Sequence, residues 1–322
     1  MAEFLFSPMI LCFVFGVLGQ TLGSELREIK SLGPILSSYL LLAIGFKGGT
    51  ELQGAHITEV LGSSALLLGF ATSLSLALYV LLRRFLRCNF QESIVIVMHY
   101  GSVSAVTFLA ALTFAELNSL PTNPSLMIQL GMLEVWGVVV GLCLFYFLAK
   151  QETKTKKESL ASVLKKVILT EGPFLLIVGI GSGYLAEKNG HEQVSYFFKA
   201  PFTGALCLFL LITGAKMAES IKSLRKRDFP LALLAIIYPL TVGSTMSFLF
   251  ARMGFQPGDS MCFAVMLASA SYIAAPAVAQ QNFPRLRLSL PLGMALGITF
   301  PFNILIGVPL YEKIAVHFAT NQ

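Results

Sequence analysis

Long runs without a single Asp, Glu, Lys or Arg are what most restrict how this chain can fold. They cover 4–24, 60–82, 93–115, 229–251, 260–284 and 288–311. A helix rises about 1.5 Å per residue and a hydrocarbon core needs roughly 20 residues, so each run is long enough to cross a bilayer. Four further segments, 31–50, 125–149, 170–187 and 200–218, carry Lys47, Glu134 and Lys216 or run short. The fold class expected is therefore an all-α integral membrane protein of about ten transmembrane helices. Composition agrees: 55% of the 322 residues are hydrophobic and 12% charged, far from a soluble domain. The first run lacks the basic flank of a secretory signal and is expected to stay in the mature chain.

The net charge of +6 sorts by loop instead of forming a nucleic-acid patch. Loops after odd-numbered segments hold seventeen of the 23 Lys and Arg residues, among them Arg83, Arg84, Arg87 and Arg225 to Arg227. The positive-inside rule then places those loops in the cytoplasm and both termini outside, with an inner (plasma) membrane location. The five cysteines are scattered, with no Cys-x-x-Cys pair, and suggest neither a disulfide framework nor a metal site. Hydrolase, metalloprotease and nucleotide-binding motifs are absent, so an enzyme is not expected.

The polar stretch Lys150 to Lys166 divides the segments five and five. Residues 1–150 are read as one five-helix repeat, 151–169 as a basic cytoplasmic linker, and 170–322 as a second repeat. An offset of about 165 to 169 residues brings like features together. Leu41 to Lys47 matches Leu210 to Lys216, and Ser102-Val103-Ser104 matches Ser269-Ala270-Ser271. An odd number of helices per repeat forces the second copy to insert upside down.

Interruptions inside a membrane helix survive only where they are buried in protein or line a cavity. The fourth helix is expected to break over Gly101, Ser102, Val103, Ser104, Ala105, Val106 and Thr107, and the ninth over Ser269, Ala270, Ser271, Tyr272, Ile273, Ala274, Ala275 and Pro276, where Pro276 removes a donor and clashes with the preceding turn. Two half-helix N-termini meeting at mid-bilayer, each with partial positive charge and unpaired N–H groups, make a site for a small anion. Gly and Ser also serve close helix packing, but the matched pair in both repeats points to binding. Glu134 stands mid-helix, where carboxylates are costly and usually functional. Lys47 and Lys216 lie near helix ends, where long side chains snorkel. His99 reads as a structural hydrogen-bonder, and Trp136, Tyr146, Tyr184, Tyr196 and Tyr311 as interface belts or packing.

These residues resemble the sodium-dependent bicarbonate transporter family. The likeness is carried by Leu41 to Gln53 (LLAIGFKGGTELQ), Gly101 to Leu112 (GSVSAVTFLAAL), Leu211 to Lys226 (LITGAKMAESIKSLRK), Ala264 to Pro276 (AVMLASASYIAAP) and Gly297 to Tyr311 (GITFPFNILIGVPLY). The resemblance implies a homotrimer in membrane lipid that couples bicarbonate to inward sodium, with a PII-like regulator on the cytoplasmic face. It implies substrate contacts at Gly101, Val103, Ser104 and Ser269 to Ser271, and a membrane carboxylate at Glu134. Lys47 stands where the family has a neutral polar residue and Tyr272 where it has an aspartate, and the linker is short. The first two bear on sodium: an ammonium at Lys47, set deep enough, would fill a cation position and compensate charge. Rivals from the residues alone are an organic-anion symporter, a cation/proton antiporter, and a non-transporting receptor or scaffold.

Overall fold

The computed structural model describes residues 6–54, 57–148, 165, 168–169, 171–186, 194, 196–222, 224–283 and 285–319. Apart from residues 165 and 168–169, the linker expected over 151–169 lies outside the described residues. All regular structure among the described residues is helical. We number the principal helices α1 (Pro8–Thr21), α2 (Gly33–Glu51), α3 (Ile57–Arg84), α4 (Phe90–Gly101), α5 (Ala105–Leu117), α6 (Leu126–Leu148), α7 (Glu171–Leu185), α8 (Phe202–Lys222), α9 (Phe229–Arg252), α10 (Pro257–Ala268) and α11 (Ala274–Asn282). The last, α12 (Ser289–Ala319), contains π-helical turns at Gly293–Thr299 and Asn303–Gly307. Among the described residues six spans are long and apolar enough to cross a membrane, with α4 and α5 together forming one; α1, α7 and α10 are shorter apolar helices.

Packing divides the helices into two groups. In one, α2 lies on α7 and α1 on α8. Glycine makes both approaches close: a Cβ on Gly45 would come 3.0 Å from the Cα of Gly179, and one on Gly16 would overlap the Leu211 carbonyl. In the other group α4 packs on α6, and α9 and α12 on α10. This second group holds a deeply buried helix pair: α4 from Ser93 to Tyr100 and α10 from Gly258 to Ala268 are buried at every residue.

Buried backbone groups freed by irregular helices find side-chain partners, as they must in a medium without water. Pro239, inside α9, has no N–H for the Ala235 carbonyl one turn back, and the Thr299 hydroxyl donates to that carbonyl at 2.7 Å. Tyr100 hydrogen-bonds Thr299 in turn at 2.7 Å. Asn303 Nδ2 donates to the carbonyl of Ala268, the last residue of α10, at 3.0 Å. Tyr311, expected from sequence in a belt or in packing, is fully buried and places its hydroxyl 2.6 Å from Pro239 O and 3.0 Å from Asn303 Oδ1.

Candidate functional site

Both expected interruptions are present, and they cross each other. The first runs through Ser102 and Val103 to Ser104, whose extended backbone (φ −92°, ψ 107°) caps α5. The second occupies Ser269 to Ile273, between α10 and α11. Pro276 lies in the first turn of α11 and not at the break itself; its missing N–H falls where a helix has no internal acceptor for it. The two segments are tied directly. Ser104 N donates to Ser269 Oγ at 2.9 Å, and Ser271 N donates to His99 O at 2.7 Å and to Ser102 O at 3.1 Å. His99 Nδ1 lies 2.6 Å from Ser271 O, a second link between the breaks.

The four serines, all buried, divide by what their hydroxyls do. Ser102 Oγ accepts from Val138 N at 3.2 Å, fastening the break to α6, while Val103 N donates to Leu133 O at 3.3 Å. Ser269 Oγ donates to Met266 O at 3.2 Å besides accepting from Ser104, and Ser271 Oγ accepts from Ala275 N at 3.3 Å at the start of α11. The bonds of these three are to backbone groups alone. Ser104 Oγ accepts from Thr107 N at 3.3 Å and Thr107 Oγ1 at 2.8 Å, which leaves its own proton to donate. Gly101 ends α4 against Gly137 of α6, Ala105 opens α5, and Ala270 is buried in the crossing.

Tyr272 turns the other way. Its ring packs edge-on to Phe300, with centroids 5.5 Å apart; its buried hydroxyl has no hydrogen-bond partner among the described residues, and the residue lines a cavity together with Thr213. Thr213 belongs to α8, so both helix groups reach this point. The signal in sequence was slight: it is the one hydroxyl residue between Thr203 and Ser220.

Two cavities lie in the cleft between the groups. One, of about 500 Å³, is lined by Tyr272 and Thr213 at one end and by Lys216, Glu219 and Glu171 toward the other. The second, about 300 Å³, is lined by Ile44 and Leu109 and carries Lys47, Glu116 and Lys199. Lys47 and Lys216, matched by the sequence offset, thus stand in different cavities.

Neither Lys47 nor Glu134 joins the crossing residues. Lys47 Nζ lies 3.4 Å from Glu116 Oε1 at the end of α5, with 44% of its side chain exposed. Glu134 is buried on α6, where a Cβ on Gly172 would come 2.9 Å from Oε1, and its Oε2 has no partner among the described residues. An exposed pair such as Lys47–Glu116 contributes about 0 to 1 kcal/mol. Lys47→Gln is therefore expected to leave the detergent melting temperature and any sodium dependence of uptake nearly unchanged. A lost or newly gained sodium response would place the ammonium in the transport path instead.

Long apolar helices and a buried, hydrogen-bonded helix crossing beside a cleft define a multi-pass membrane protein with a solute-sized interior. Residues 8–316 match the model of the Na+-dependent bicarbonate transporter superfamily, and the chain belongs to that family. No curated protein matches the chain. Family membership suggests a transporter and not an enzyme.

Proposed function

We propose that this chain is a secondary transporter of a small anion, bicarbonate first among the candidates, that binds it where the two interrupted helices cross. The observation that carries the reading is the crossing itself, where Ser104 N donates to Ser269 Oγ and Ser271 N to His99 O and Ser102 O, with Tyr272 of the second break lining the larger cavity. A helix N-terminus with a free hydroxyl donor favours negative charge, and the dry surroundings strengthen it.

The full architecture proposed is ten spans in two inverted five-helix repeats, with both termini outside the plasma membrane. What supports it is the correspondence of packing: α2 on α7 mirrors α8 on α1, and each half contains one broken helix. The α1, α2, α7, α8 group then moves against the rest to expose the site to either side. On this orientation the larger cavity faces the cytoplasm. A homotrimer, a PII-like regulator and sodium coupling remain proposals resting on the family alone.

Uptake of labelled bicarbonate into proteoliposomes, with and without an inward sodium gradient, tests the reading. Accumulation above protein-free vesicles is expected; none would overturn it. The size of the larger cavity, about 500 Å³, favours a second reading, an organic anion. Displacement of label by a C4 monocarboxylate more strongly than by bicarbonate would support that alternative.

A further inference from the structure

Where a buried helix breaks, backbone groups lose their helical partners and must find others. His99 stands in the last turn of α4. A continuous helix would turn Val103 N onto the His99 carbonyl, but Val103 N donates to Leu133 O instead. The freed His99 carbonyl accepts from Ser271 N at 2.7 Å. In return the His99 ring places Nδ1 2.6 Å from Ser271 O. A carbonyl can only accept, so Nδ1 carries the proton. Residues 99 and 271 thus exchange two hydrogen bonds, one through the backbone and one through the ring. With Ser271 Oγ accepting from Ala275 N, every polar group of Ser271 is engaged.

The carbonyl held by the ring belongs to the peptide that joins Ser271 to Tyr272. A peptide is planar and turns as one unit, so fixing its oxygen fixes the plane from which Tyr272 leaves. Tyr272 and Ile273 line the larger cavity, whereas His99 is fully buried and lines neither cavity. We propose that His99 is a positioning residue: through the Ser271 carbonyl it sets the pose of Tyr272 in the cavity wall, and so the fit of the anion, without touching it. The second half of this rests on the small-anion reading above. Space filling alone does not account for a histidine here. With Nδ1 protonated, Nε2 is a bare acceptor, buried and without a partner among the described residues. A leucine would fill the space without stranding that acceptor. What the ring supplies and leucine lacks is the Nδ1 proton.

Two measurements on His99, His99→Asn and His99→Leu protein test this. The asparagine amide can put an N–H near the place of Nδ1; leucine has no donor. In the first, each form also carries Tyr272→Cys and is treated in detergent with a water-soluble maleimide, the adduct at position 272 being followed by mass spectrometry. The labelling rate should change about fivefold or more in His99→Leu and stay within about twofold in His99→Asn. In the second, Tyr272 is kept and bicarbonate uptake into proteoliposomes is measured. Half-saturation should rise about tenfold in His99→Leu and return to within about threefold in His99→Asn, with the saturating rate less affected. Equal labelling in all three forms overturns the proposal whether or not bicarbonate is carried. So does an asparagine form as impaired as the leucine form, or a leucine form that loses melting temperature and saturating rate at unchanged half-saturation, which marks a scaffold role. Labelling in the expected order by a protein that carries no bicarbonate overturns the small-anion reading and supports the positioning of Tyr272.

Discussion

Gly137→Ala should abolish measurable bicarbonate uptake while leaving an inserted, folded protein. Gly137 lies on α6 where the helix passes the first break, and a Cβ there would overlap the Gly101 carbonyl carbon and the Ser102 nitrogen and come 2.6 Å from Gly101 Cα. All three are backbone atoms, so no flexible side chain can move aside. Either α6 retreats, loosening the Val138 N to Ser102 Oγ and Val103 N to Leu133 O bonds, or the break shifts toward the second crossing segment. Overpacking of this kind costs about 1 to 3 kcal/mol, and the strain falls on the segment that positions Ser104. Gly69→Ala is the control: Gly69 sits within α3 with nothing inside 4 Å of its added Cβ. There a gain in helix propensity of up to about 1 kcal/mol is the only expected effect. Wild-type uptake by Gly137→Ala, with Gly69→Ala also normal, would show that the geometry of the break does not govern transport.

The places where reading from residues succeeded and where it stopped share a physical reason. Charge-free runs report burial in lipid, a property of each segment alone, so α3, α6, α8 and α9 fall close to where hydropathy puts them. Gly, Ser and Pro weaken a helix locally, so the two breaks were legible as well. Hydrogen-bond direction is not local. Ser104 N reaches Ser269 Oγ, and Ser271 N reaches His99 O, partners separated by more than 160 positions. Only once the segments cross does it become apparent that Ser102 and Ser269 tie one segment to another while Ser104 caps its own helix. Pro239 illustrates the same limit: its carbonyl-freeing effect on Ala235 follows from sequence, but the rescue by Thr299 depends on how α9 meets α12. Lys47 and Glu134 are read separately, one near a helix end and one mid-helix, and the fold places the first in a cavity with Glu116 and the second against Gly172.

Ser104→Ala separates binding from scaffolding more sharply than any other single hydroxyl deletion at the crossing. The substitution removes a helix cap, worth about 0.5 to 2 kcal/mol, and the proton of a hydroxyl whose oxygen accepts twice from Thr107. Against an anion, that donor contributes roughly 1.5 to 3 kcal/mol, which is about a 10- to 100-fold rise in the concentration giving half-maximal uptake. Ser269→Ala acts differently, because it strands the buried Ser104 N–H, 2.9 Å from the lost oxygen. Ser271→Ala likewise uncaps Ala275. Each of those two should lower thermal stability by about 1 to 3 kcal/mol, with a smaller change in half-saturation among the molecules that remain folded. Detergent melting and uptake measured on the same three preparations give the comparison. If Ser104→Ala keeps the wild-type half-saturation while Ser269→Ala or Ser271→Ala raises it tenfold, the anion meets the second broken helix and not the first, and the cap of α5 is structural.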